Sequence, residues 1–63
     1  MNEKIDFELF LGKKVRIEIF KPGYKRGFNL YGHIKKYDDT WVYFKTDKLG
    51  LIRIEDIIGI EVL

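Results

Sequence analysis

Leu30-Tyr31-Gly32-His33-Ile34-Lys35-Lys36-Tyr37-Asp38-Asp39-Thr40-Trp41-Val42-Tyr43-Phe44-Lys45-Thr46 reads as two strands joined by a turn. In the first half Leu30, Gly32 and Ile34 alternate with Tyr31, His33 and Lys35. In the second, Val42 and Phe44 alternate with Trp41, Tyr43 and Lys45. A period of two puts one set of side chains in a core and the other in water, which is the pattern of a half-buried strand. Between the halves lies Tyr37-Asp38-Asp39-Thr40, whose aspartates can hydrogen-bond their own backbone and so favour a turn. Gly32 stands mid-strand, where the missing side chain weakens pairing, and it marks a sharp bend or a bulge.

Working outward, the same period continues on both sides. Val15, Ile17 and Ile19 alternate with Arg16, Glu18 and Phe20, predicting a strand over 14–20. Lys21-Pro22-Gly23-Tyr24 is a turn that opens a long basic loop through Gly27, and the next strand runs over 28–37. Residues 5–11 predict a short helix that Asp6 can cap and Gly12 can stop, with Ile5, Leu9 and Phe10 packing across one end of the domain. Downstream, a strand at 41–46 is followed by Asp47-Lys48-Leu49-Gly50, read as a tight hairpin turn with Gly50 left-handed. Strands at 51–54 and 57–63 flank Glu55-Asp56, too short a break for a hairpin and suited to a 3₁₀-like turn. One short helix and five short strands over 1–63 describe a single all-β domain, a small and strongly twisted five-stranded barrel.

A chain of 63 residues has room for one small core. Domains of this size usually add disulfides, a metal or oligomerisation. With no cysteine and one histidine, His33, the first two are disfavoured and no cofactor is expected. No apolar run approaches the ~20 residues of a membrane span, and Met1-Asn2-Glu3-Lys4-Ile5-Asp6 lacks a signal-peptide pattern, so a cytoplasmic location is expected. Charge is unevenly spread. Residues 13–36 hold eight basic side chains against Glu18 alone, inside a chain whose net charge is +2. Such a segment suggests an anionic partner, or simply well-solvated strand faces.

The stretch Leu30-Tyr31-Gly32-His33-Ile34-Lys35-Lys36-Tyr37-Asp38 resembles the first motif of the Sm-like superfamily, which includes the Hfq and LSm proteins. Ile52-Arg53-Ile54-Glu55-Asp56-Ile57-Ile58-Gly59-Ile60 is similar to its second motif. The resemblance implies an SH3/Sm-like barrel that binds RNA and assembles into a ring. Where LSm proteins carry a base-binding asparagine this chain has Val42, and where Hfq carries a stacking aromatic it has Thr40. Arg53 alone matches the LSm arginine, so the family's nucleotide pocket does not carry over. Asp6-Phe7-Glu8-Leu9-Phe10-Leu11-Gly12-Lys13-Lys14-Val15-Arg16-Ile17 also resembles the opening of the C-terminal domain of RimP, the ribosome maturation factor. That domain is Sm-like too, and it implies a monomeric accessory module on a ribosomal assembly.

No catalytic constellation is visible. The chain has no serine and no cysteine, so nucleophilic triads fail on inventory. The adjacent carboxylates Asp38-Asp39 and Glu55-Asp56 suit turn capping better than acid–base chemistry. The outward face is more informative, because Tyr31, His33, Lys35, Trp41, Tyr43, Lys45 and Arg53 interleave rings with cations. Rings can stack on bases while cations follow phosphates. The same rings can equally be cross-strand pairs that hold the sheet together. Lys21, Tyr24, Lys25 and Arg26 in the basic loop suit phosphate contact or a solvated tip. The expected function is a non-enzymatic module for single-stranded RNA or a ribonucleoprotein. A protein-interaction or architectural SH3-like module is the alternative. Finally, Ile57-Ile58-Gly59-Ile60-Glu61-Val62-Leu63 is apolar on both faces. Ile57 and Leu63 are expected to lie uncovered and to drive a homo-oligomer in which this strand pairs with a neighbour's fourth.

Overall fold

The computed structural model describes residues 5–63; Met1 to Lys4, part of the stretch read for a signal peptide, lie outside the described residues. The chain forms one five-stranded antiparallel sheet in the order β4-β3-β2-β1-β5. Its strands are β1 (Lys14–Ile19), β2 (Phe28–Tyr37), β3 (Trp41–Lys45), β4 (Leu49–Arg53) and β5 (Ile57–Val62). Two 3₁₀ turns complete it, Phe7–Phe10 before β1 and Ile54–Asp56 between β4 and β5. Among the described residues no helix is long and apolar enough to cross a membrane.

The alternation read from the sequence sets the core. Val15, Ile17, Ile19, Ile34, Val42, Phe44 and Ile52 are buried on one side of the sheet, joined by Phe7 and Ile57. Burial of each such side chain contributes about 1.5–3 kcal/mol, and among the described residues no polar side chain is buried with them. The connection from β4 to β5 fixes the shape of the sheet. These strands are the two edges, yet only Ile54–Asp56 separates them in sequence. Four residue steps reach at most ~14 Å, whereas the edges of a flat five-stranded sheet lie ~19 Å apart. The sheet therefore curls, and the 3₁₀ turn spans its end. Ile54 N–H donates to Thr40 O at 2.8 Å, and Phe20 N–H donates to Asp56 O at 2.9 Å.

Several expectations need correcting. The N-terminal segment is one 3₁₀ turn and not a two-turn helix. Asp6 does cap it, accepting from Glu8 N–H at 3.1 Å, and Gly12 does end it at φ 78°. Phe7 is the residue it buries, while Leu9 is exposed. Phe7 is held there by Tyr37, whose ring lies 5.6 Å away and whose hydroxyl donates to Glu8 at 2.8 Å. β4 begins at Leu49, so Gly50 is a strand residue without a positive φ, and the hairpin turn is Thr46-Asp47-Lys48. Gly32 is not the site of a bulge. It pairs in regular register with Val15, and a Cβ there would run into the backbone of Lys45.

The bulge of β2 comes later. Ile34 pairs with Phe44 and Lys36 with Tyr43, which leaves Lys35 as the extra residue. The shift brings Tyr37 inward against the core. A second bulge in the β1–β5 pairing sets Ile19 opposite Ile57 and Glu18 opposite Gly59, leaving Ile58 without a partner. Ile57 is consequently buried at 8% exposure and belongs to the core, contrary to its expected place on an assembly surface. The uncovered apolar side chains of β5 and its end are Ile58 (59%), Val62 and Leu63.

Candidate nucleic acid interface

The outward face of the sheet follows the register across strands. On β3 the successive outward residues are Trp41, Tyr43 and Lys45. Opposite them on β4 lie Arg53, Leu51 and Leu49; on β2, Lys36 stands opposite Tyr43 and His33 opposite Lys45. Ring and cation meet directly at two of these places. The Arg53 guanidinium sits over the Trp41 ring at 5.7 Å, and the Lys36 ammonium over the Tyr43 ring at 4.5 Å. Exposed contacts of this type contribute about 0.5–1 kcal/mol.

Trp41 owes its position to Asp38. The Asp38 carboxylate accepts from the N–H groups of Thr40 and Trp41, each at 2.8 Å, while Asp38 N–H donates to Trp41 O at 2.9 Å. Those two donors hold the Asp38 carboxyl below its ordinary pKa, because they stabilise the ionised form. Trp41 is thereby fixed in the lining of a groove of about 420 Å³. One wall is the loop between β1 and β2, with Lys21, Pro22 and Tyr24; the other is Trp41, Leu51 and Arg53, and Glu55 and Asp56 complete the lining. The loop wall is preorganised. Gly23 adopts φ 91°, Tyr24 N–H donates to Lys21 O at 3.0 Å, and the Tyr24 ring stacks on Phe28 at 5.8 Å. Glu55 binds the Arg53 guanidinium at 3.0 Å, so that cation is neutralised on one side.

Of the residues read from sequence, Lys21, Tyr24, Trp41 and Arg53 come together in the groove. Tyr43, Lys45 and His33 continue from it along the sheet by register. Tyr31, 52% exposed, lies a further step away, opposite Arg16. Arg16 is committed elsewhere, donating to Glu61 and Asn29 at 3.0 and 3.1 Å, and the bond to Glu61 chiefly raises its pKa. Lys25 and Arg26 stand exposed in the loop. Lys35, as the bulge residue, has no partner on β3, and Lys36 takes the place expected for it beside Tyr43. Strict alternation sends Lys36 into the core, and a lysine forced inward is the sequence signal of such a slip. Leu51, Pro22, Glu55 and Asp56 are groove residues that strand periodicity cannot find, because they meet only when the sheet curls.

Comparison with protein-family models, with curated proteins and with solved structures finds no match for this chain.

Proposed function

We propose that this chain is an SH3/Sm-like small barrel that acts as a non-enzymatic binding module for single-stranded RNA or a ribonucleoprotein in the cytoplasm. The observation that carries this reading is the track Trp41–Tyr43–Lys45 on β3, with Arg53, Lys36 and His33 alongside. Bases stack on exposed rings while flanking cations follow the phosphates, an arrangement that tolerates many sequences. Fluorescence anisotropy with labelled single-stranded RNA at low salt tests it. Binding should weaken steeply as salt rises, and absence of binding to any single strand overturns it.

A second reading is favoured by the groove itself. Pro22, Tyr24, Trp41 and Leu51 line the groove together with the charged Lys21, Arg53, Glu55 and Asp56, and aromatic-lined grooves of this kind accept extended proline-rich peptides. The same titration against a library of proline-rich and basic peptides separates the two. In either case the free edges of β4 and β5 and the uncovered Ile58, Val62 and Leu63 support a homo-oligomer built by edge pairing.

A further inference from the structure

Lys14, His33 and Lys45 stand in register across three adjacent strands. Lys14 is opposite His33 in the β1–β2 pairing, and His33 is opposite Lys45 in the β2–β3 pairing. Their chain neighbours Val15, Gly32, Ile34 and Phe44 are all buried, so the three side chains share the outward face. The row therefore sets the one imidazole of the chain between two ammonium-bearing strands, with a lysine opposite it on each side. The charged and titratable groups around His33 are Lys14 and Arg16 from β1, Lys45 and Tyr43 from β3, and Tyr31 and Lys35 on its own strand. None of these brings negative charge near neutral pH. Among the described residues the carboxylates closest by register or sequence have other partners: Glu61 holds Arg16, and Asp47 accepts from the Thr46 hydroxyl at 3.0 Å.

We propose that Lys14, His33 and Lys45 form a phosphate-binding row, and that a phosphate seated on it binds together with a proton at His33. This rests on the RNA reading and extends it, assigning the row to the backbone phosphates of a strand whose bases stack along Tyr43 and Trp41. The chemistry follows from position. Imidazole is the side-chain group whose charge can change near neutral pH. An anion placed between two ammonium groups favours the imidazolium lying between them, so anion binding and proton uptake reinforce each other. His33 is the one histidine of the chain, which makes the linkage assignable.

The test uses the full chain with two probes, an oligoadenylate single strand and inorganic triphosphate, each titrated between about pH 5.5 and about pH 7.5, the range in which imidazole changes charge. NMR follows the His33 ring protons in the unmodified protein with and without each probe. Binding is expected to tighten by about threefold or more toward the acid end, and the midpoint of the His33 titration is expected to rise on saturation. His33→Gln should flatten the pH profile, and Lys14→Gln with Lys45→Gln should weaken both probes. RNA binding whose pH profile is the same in His33→Gln, with an unmoved His33 titration, overturns the phosphate row and leaves the RNA reading standing. Triphosphate binding linked to His33 without any RNA binding supports the row and overturns the RNA reading. Failure of both probes to bind overturns both.

Discussion

Gly32 lies directly beneath the backbone of Lys45: a Cβ built on Gly32 overlaps the Lys45 carbonyl, and it would also approach the Phe44 ring at 3.3 Å. β2 and β3 can approach this closely only because one of them carries no side chain there. The contact sits at the foot of the proposed phosphate row, since Lys45 is the outward residue opposite His33. Gly32→Ala must push the strands apart. It should cost about 3 kcal/mol, at the upper end of overpacking changes, and be read as a lower urea midpoint. A variant of unchanged stability would show that the strands separate freely.

Ile57 and Ile58 are neighbours with opposite fates. Ile57→Lys puts an unpaired charge in the core and should unfold the domain, a penalty of about 3–5 kcal/mol. Ile58→Lys should leave the circular dichroism spectrum unchanged. If copies associate through the β5 edge, Ile58→Lys should also bring the mass from light scattering down to the 7.6 kDa of one chain. A wild-type mass already at that value removes the oligomer.

Two exposed hydrogen-bonded groups give opposite pH signatures. The Asp38 carboxyl is held below its ordinary pKa in the fold, so its stabilisation is full above the unfolded value of about 3.9 and is lost as pH falls through the folded one. The Tyr37 hydroxyl, donating to Glu8, is held above its ordinary pKa. Its stabilisation is full below about pH 10 and is lost as pH rises through the folded value. Asp38→Ala should therefore lower the melting temperature at neutral pH, with the difference fading in acid. Tyr37→Phe should do the same with the difference fading in strong alkali.

Lys25 and Arg26 are the exposed cations of the loop between β1 and β2. Replacing both with alanine should reduce the slope of log affinity against log salt by up to about 1.4, at ~0.7 per phosphate contact on a single strand. Trp41→Ala should instead lower RNA affinity by about 1–3 kcal/mol with little change in slope, because stacking is not a counterion effect. Trp41 is the single tryptophan, so its own fluorescence reports occupancy of the groove.

How far the sequence could be read depended on the kind of contact. Strand β2 is legible over its full length, as are the inward Val15, Ile17, Val42 and Phe44, because alternation is a local signal. The two bulges are what alternation cannot place. Each inserts one residue, so the alternation on one side of it is reversed relative to the other side. That is why Lys36 stands where Lys35 was expected, and why Ile57 is buried. The groove is less legible still. Tyr24, Trp41 and Asp56 come from three separate segments and meet only through the curl of the sheet.

The pairing of β1 with β5 joins the earliest strand of the chain to the latest, and Leu63 N–H extends it by donating to Lys14 O at 3.0 Å. During synthesis β1 can settle against β2 almost at once, but its other edge must wait until β5 has left the ribosome. Until then Val15 and Ile17 lack the cover of Ile60, and the row of backbone groups on that side is open to strangers. A chain whose β5 segment has not yet docked thus exposes this edge of β1, and only the β1–β5 pairing closes it.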